Sequence, residues 1–357
     1  MIRDALRQVV EGGNLSEQKA VDVMQEIMDG DATPSQIAAF IIAMRMKGET
    51  VDEVAGFAKV MRDKSIKIPT ERDPMSLVDT CGTGGDKSGT FNISTTTAFV
   101  AAGAGVAVAK HGNRAMSSKC GSADVLEALG VEIGLSPKNV GRCIAEVGIG
   151  FLFAPAHHPS MKHAVVPRKE IGVRTVFNIL GPLTNPAGAK RQVIGVFEPH
   201  LTELMAGALK RLGSSRVIIA HGLTGIDELS TLGPTKITEL VDGQLSTYEI
   251  VPEDYGLKTT SVDTLTQGAN PSESAQILES ILAGEAGSRR EIVLLNAAAV
   301  FKVAGVVDSL EDGITIAAES IDSGKALDTL TRLRTLSRAL ADEQALLPSP
   351  SREKDRG

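Results

Sequence analysis

Hydrophobic positions fall into two textures along the chain. Over residues 1–65 they recur at helical spacing, and Ile37, Phe40, Ile41 and Met44 form one broad apolar stripe. The punctuation agrees. Ser16 can cap SEQKAVDVMQEIMDG, which Gly30 ends; Thr33, with Pro34 and Gln36, opens TPSQIAAFIIAMRMKG, which Gly48 ends; Thr50 and Glu53 make a second capping box. A run of short helices is predicted. Helices so few make a small core, so the block is expected to pack on another domain or a second subunit, with a helical dimer interface preferred.

After the linker IKIPTERDP, short apolar runs alternate with helical ones. LVDT (77–80), VAVAK (106–110), GFLFAP (150–155), RQVIGVF (191–197), SRVIIAHG (215–222) and EIVLLN (291–296) read as strands, separated by helices such as SPKNVGRCIAEVG and LTELMAGALKRLG. This alternation predicts an α/β domain with a mainly parallel sheet, whose ligands gather at the carboxyl ends of the strands. KITELVDGQLSTYEI reads as a hairpin turning at Asp242-Gly243 on one sheet edge. SPSREKDRG, polar and aperiodic, reads as a loose tail.

Composition narrows the function. A chain of 357 residues with 42% hydrophobic and 23% charged residues has room for a large core in two domains. Its net charge of −7 and 3% aromatic content speak against nucleic-acid binding. Any bound anion must be gathered locally. No segment approaches the roughly 18 uncharged apolar residues of a membrane span, and the N-terminus lacks a signal-peptide core. Cys81, Cys120 and Cys143, odd in number and widely spaced, argue against disulfides or structural zinc and suit a reducing, cytoplasmic setting. They read as small packing residues.

Four segments carry candidate chemistry. DTCGTGGDKSGTFNIST (79–95) links a strand to a helix starting near Ser94; its glycines bring backbone N–H groups close to a ligand, and the helix end adds positive potential, so a phosphate is the expected guest. Neither standard nucleotide motif fits. Thr90 stands where a P-loop needs lysine, and Lys87 where the dinucleotide fingerprint needs its last glycine. Asp86 beside phosphate implies a metal or a neutral group such as a sugar hydroxyl or amine.

In VAVAKHGNRAMSSKCGSADVLEALG (106–130), Lys110, Arg114 and Lys119 supply cations, Ser117, Ser118 and Ser122 supply hydroxyls, and Ser122 is placed to cap the helix ended by Gly130. Two such loops on one sheet edge favour a polyphosphate site. In the third segment (157–175), His157, His158 and His163 lack a cysteine or carboxylate at ligand spacing, which disfavours a metal, whereas Arg168 and Arg174 suit an anionic substrate. In HGLTGIDELS (221–230), Asp227 and Glu228 can share one Mg²⁺ with substrate phosphates.

Together GTGGD (82–86), FNIST (91–95), KHGNR (110–114), SSKCGSADVLEALG (117–130), HPSMKHAVVPRKEIGVRTVFNILGPLTNPA (158–187) and DELS (227–230) closely resemble the anthranilate phosphoribosyltransferase family of the tryptophan pathway. The resemblance implies transfer of the phosphoribosyl group from 5-phosphoribosyl 1-diphosphate to anthranilate, with Mg²⁺. It implies a small helical domain (1–70, joined by part of 170–187) hinged to a larger α/β domain (75–345) followed by a loose tail (346–357), dimerising through the helices. It places Gly82, Gly85, Asp86, Thr90, Asn92, Ser94, Thr95, Lys110, Ser118 and Ser122 around the diphosphate substrate, and Ser94, Asp227 and Glu228 at the metal. Asn113 and Arg168 would meet anthranilate, with His111 and His158 nearby. Ile93, Gly112, Arg114, Ala115, Met116 and Ser117 complete the implied substrate-binding set, with Lys110, Asn113 and Arg168 the implied catalytic residues. The rivals are a pyrimidine nucleoside phosphorylase, which the Asp-Glu pair and KHGNR oppose, and a nucleic-acid-binding relative, which the net charge opposes.

Overall fold

The computed structural model describes residues 1–86, 88–115 and 119–346. Its first 65 residues form α1 (Ile2–Val10), α2 (Glu17–Asp29), α3 (Pro34–Lys47) and α4 (Val51–Lys64). Their ends follow the local chemistry. At α3 the Thr33 N–H donates to Gln36 Oε1 (2.8 Å) while Thr33 Oγ1 accepts from the Gln36 N–H (3.3 Å). At α4 Glu53 reaches back to the Thr50 N–H (2.8 Å), and the same fully buried carboxylate accepts from the Leu15 N–H and pairs with Lys47 (2.9 Å).

The rest alternates. The strands are β1 (Val78–Gly82), β2 (Val108–Gly112), β3 (Ile149–Phe153), β4 (Arg191–Gly195), β5 (Arg216–Gly222), β6 (Thr235–Val241) and β7 (Gln244–Ile250). Between β1 and β3 lie α5 (Ile93–Gly103), α6 (Ser122–Ala128) and α7 (Pro137–Glu146). Between β3 and β4 come α8 (Ala154–His157), α9 (Lys162–Ile171) and α10 (Phe177–Leu180), and α11 (Leu201–Arg211) joins β4 to β5. The chain closes with α12 (Pro271–Leu282), α13 (Ser288–Ala304), α14 (Leu310–Asp322) and α15 (Lys325–Leu346).

The sheet order is β3-β2-β1-β4-β5-β6-β7, parallel from β3 to β5 and antiparallel beyond. The hairpin turns at Asp242 (φ 48°) and Gly243 (φ 79°), on the edge the sequence predicted. Strand order reverses at β1, so the ends of β1 and β4 open a crevice for ligands.

One strand expectation needs correction. EIVLLN is not a strand but part of α13, whose residues from Ile292 to Phe301 are all buried. A helix apolar all round loses the stripe that would distinguish it from a buried strand. The stripe Ile37, Phe40, Ile41 and Met44 is at most 1% exposed within one chain, so it is core, and the packing of the helical block on the other domain is one of the two outcomes expected of it. It packs in a cluster that also takes in Val176, Phe177, Leu180 and Leu183 beyond α9, and reaches Met205 of α11 and Ile219 of β5. The helical block and one face of the sheet therefore share a core. Apart from Leu346, where α15 ends, the expected tail lies outside the described residues.

Candidate active site

Three loops leave the carboxyl ends of β1, β2 and β5 on one side of the sheet. The β1 loop is tied to β4 by the Thr83 N–H donating to the Gly195 carbonyl (2.9 Å). Gly84 and Gly85 follow with φ of 65° and 76°, a left-handed path that suits glycine. The Gly84 N–H then donates to Asp227 Oδ2 on the β5 loop (2.9 Å), and the Asp227 N–H donates to Asp86 (3.3 Å). This close approach depends on glycines. A Cβ on Gly82 would lie 3.0 Å from Asp227 Oδ2, and one on Gly195 only 1.5 Å from the Asp227 carbonyl oxygen. The β5 loop is held from behind by Asn296 of α13, whose amide accepts from the Leu229 N–H (3.1 Å) and donates to the Leu229 carbonyl (2.8 Å).

Lys110, near the end of β2, is 2% exposed. Its ammonium donates to the Thr80 carbonyl and to Ser94 Oγ (3.2 Å) at the start of α5. Burial lowers its pKa, and the nearby Asp79 opposes the shift. Asp79 accepts from the His111 N–H (3.0 Å) and from Asn185 (2.8 Å), which also donates to the Ala109 carbonyl (2.8 Å); burial nevertheless pushes its carboxyl up to about 6. Neither Asp79 nor Asn185 is in the predicted site. A carboxylate inside the apolar run LVDT, and an asparagine after LGPLT, were the available signals.

Asp227 and Glu228 are short of positive partners. Burial, reinforced by Asp86 and Glu228, drives the Asp227 carboxyl well above its usual range; burial also raises Glu228 to about 8, while Lys110 pulls it back. Asp86 adds to their mutual repulsion, which a divalent cation would relieve; among the described residues no three metal-ligating side chains converge, so the carboxylates fit Mg²⁺ as an oxygen pair that leaves the remaining positions to substrate phosphates and water.

Beside this centre the His111 and His158 rings stand 5.2 Å apart. His111 Nδ1 faces the Gly181 carbonyl at 3.2 Å, leaving Nε2 of both rings buried and unpartnered among the described residues. Burial and the neighbouring imidazoles lower His111 to about 3; burial, then His157 and Lys67, lower His158 to about 4, so both stay neutral. Asn92 Oδ1 and Thr95 Oγ1 are likewise buried without partners. Buried polar atoms of this kind call for a ligand or water.

Other predicted residues are placed differently. Ser88 Oγ lies 2.6 Å from Asp86 and 3.1 Å from Thr90, which bridges to Thr266. Ile93, the first residue of α5, is buried in the apolar core. On the β2 loop, past Gly112, the Asn113 carbonyl accepts from Ser122 Oγ (3.1 Å) and the Ala123 N–H. Ser122 is the first residue of α6 rather than its cap; Asp124 instead accepts from the Gly121 (2.8 Å) and Ala115 (2.9 Å) N–H groups. The Arg114 guanidinium is engaged by Asp124 and Glu127. Arg168, on α9, lies over the Phe177 ring (5.2 Å) with its pKa lowered by burial. Met116, Ser117 and Ser118 lie outside the described residues.

Comparison with known proteins agrees with this architecture. Residues 75–327 match the glycosyl transferase family a/b domain, and residues 3–65 the helical bundle domain of that family. The chain is 56% identical over 330 residues to the anthranilate phosphoribosyltransferase of Acetivibrio thermocellus, covering 92% of this chain and 95% of the relative. The crystal structure of the Thermus thermophilus anthranilate phosphoribosyltransferase superposes with a TM-score of 0.88 at 44% identity, covering 94% and 99% of the two chains. The Saccharomyces cerevisiae enzyme in complex with PRPP and Mg superposes with a TM-score of 0.84 at 27% identity, covering 95% and 98%.

Proposed function

The chain belongs to the anthranilate phosphoribosyltransferase family and is a glycosyltransferase of tryptophan biosynthesis; from that premise we propose how its residues carry the reaction. The donor is 5-phosphoribosyl 1-diphosphate and the acceptor is the amine of anthranilate. The bond from ribose C1 to the diphosphate oxygen breaks, the amine nitrogen bonds to C1 and loses a proton, and diphosphate departs. The observation that carries this reading is the contact of the glycine loop with the acidic pair, Gly84 to Asp227, on the sheet edge where Lys110 is buried.

Breaking the C1–O bond builds negative charge on the leaving group and positive charge on the sugar. A bound Mg²⁺ supplies electrostatic stabilisation of that departing charge. Asp227, Glu228 and Ser94 would hold it. Lys110 adds a fixed cation shielded from solvent, where it counts for more than in water. Gly82, Gly85, Asp86, Thr90, Asn92 and Thr95 would line the donor substrate, Thr95 by its unpartnered hydroxyl and Asn92 by its unpartnered amide oxygen, which can accept from a ribose hydroxyl. Arg168 would bind the anthranilate carboxylate, and Asn113 with the neutral His111 and His158 would flank the ring. Neutral imidazoles suit the acceptor, because they do not repel the cationic sugar as it forms. An aromatic amine is nucleophilic when neutral, so positioning can replace a strong base. Attack from the face opposite the diphosphate predicts inversion at C1.

Residues 1–70 with part of 170–187 would act as the helical unit, and 75–345 as the phosphoribosyl-binding unit. A cytoplasmic homodimer is the further expectation. Among the described residues no helix is long and apolar enough to cross a membrane. The test is incubation of the purified chain with the diphosphate donor, Mg²⁺ and anthranilate, following fluorescence of N-(5-phosphoribosyl)anthranilate. Appearance of that product supports the proposal; no product, or turnover of thymidine with phosphate instead, overturns it. Light scattering on the same sample should give twice the mass of one chain, and a monomer mass would remove the dimer.

A further inference from the structure

Arg174 is the cation the proposed reaction leaves unused. It lies just past Gly172, which ends α9 in the left-handed region (φ 66°), on the segment leading back from the helical block to the sheet. Its guanidinium stacks on the Phe197 ring at 4.2 Å, beyond the end of β4. It also covers the glycine loop: a Cβ on Gly85 would meet Arg174 Nη2 at 3.4 Å. Phe197 and the loop are fastened together beneath it, because the Phe197 N–H donates to Thr83 Oγ1 (3.2 Å).

The other arginines near the site are committed differently. Arg114 is paired with two carboxylates; Arg168, which like Arg174 lies over an aromatic ring without an ion pair among the described residues, is the arginine already assigned to the acceptor. Arg174 has no carboxylate within ion-pair distance among the described residues, and none of its N–H groups makes a hydrogen bond there. A guanidinium placed over an aromatic ring, its donors unspent, is available to bind an anion. We propose that Arg174 contacts the diphosphate end of the donor substrate, and the same group in the released product. The choice of diphosphate follows from the loop. Gly85 is next to Gly84, whose N–H meets Asp227 of the pair proposed to hold Mg²⁺, so the anion beside Gly85 is the one that would share that cation. Arg174 thereby couples the segment returning from the helical block to occupancy of the glycine loop.

This inference rests on the phosphoribosyl-transfer reading, and its test separates the two. Magnesium pyrophosphate is titrated calorimetrically into wild type and Arg174→Met, a variant that keeps much of the packing on Phe197 and needs no turnover to be read. Steady-state KM values for both substrates and the thermal midpoint are measured alongside. The expected result is a pyrophosphate Kd and donor KM raised about tenfold, the effect of losing one charge-assisted hydrogen bond. The anthranilate KM and the thermal midpoint should hold, and Arg174→Lys should recover part of the loss. Equal pyrophosphate affinity in wild type and Arg174→Met overturns the proposal, as does a rise confined to the anthranilate KM. If Arg174→Met does not fold, Arg174→Gln gives the same comparison. Pyrophosphate binding without phosphoribosylanthranilate formation would refute the acceptor assignment, while the Arg174 comparison still stands on its own.

Discussion

Lys110 is buried among backbone carbonyls and hydroxyls, where a cation without an anion nearby is costly. Asp79 and Glu228 supply the compensating field, and nearby Asn92, Thr95, His111 and His158 carry buried polar atoms without partners among the described residues. Most of these residues were legible in the sequence, because KHGNR and FNIST carry them in order. Arg114 was legible only as a cation: its partners Asp124 and Glu127 sit ten and thirteen positions away, and nothing local shows that α6 turns them towards it. The two neutral histidines give a pH prediction. Their folded pKa values, about 3 and about 4, lie below the ordinary 6.5, so the unfolded chain binds protons that the folded one does not. Their contribution is present above pH 6.5 and is lost as pH falls through that value towards 4. Asp79, raised to about 6, works in the opposite direction between 3.8 and 6. Urea unfolding of wild type and His158→Asn from pH 7 to pH 4.5 should therefore differ in slope by up to about 1.4 kcal/mol per pH unit, the variant being less acid-sensitive. Parallel curves would mean that His158 titrates normally.

At the scale of elements, caps and periodicity located the helices before β1 and the hairpin turn, since each is encoded within a few residues. What escaped was decided by tertiary surroundings. α13 was read as a strand because burial on all sides removes the polar face, leaving only its length of 17 residues to tell it from a strand. The misreading matters for function: Asn296 on that helix fixes the loop carrying Asp227 and Glu228. The opposite side of that loop rests on β4 at Gly195. Gly195→Ala would drive a methyl into the Asp227 carbonyl, backbone against backbone, so the loop must move. The expected cost is about 1–3 kcal/mol of stability, as for other overpacked sites, together with loss of most phosphoribosyl transfer. Denaturant unfolding and initial rates check this; a variant with wild-type rate would show that the acidic loop tolerates displacement.

Across the whole molecule, the reversal of strand order at β1 brings the glycine loop, the lysine strand and the acidic loop to one sheet edge. The alternation of apolar runs foretold the parallel sheet, but not that the helical block would share a core with β4, β5 and α11, because that contact joins residues far apart in sequence. The same contact gives the segment after β3 two roles, packing with the helices through Val176 and Phe177 and laying Arg174 over Phe197 beyond the end of β4 and against Gly85. The acidic pair is the centre of the proposed metal-assisted diphosphate site. Its most direct test is the initial rate of phosphoribosylanthranilate formation against Mg²⁺ concentration, for wild type and the Asp227→Asn, Glu228→Gln double variant. Wild type should show saturable Mg²⁺ dependence, and the variant should be slower by about a hundredfold or more at the same Mg²⁺. A variant that matches wild type at every Mg²⁺ concentration would contradict the account.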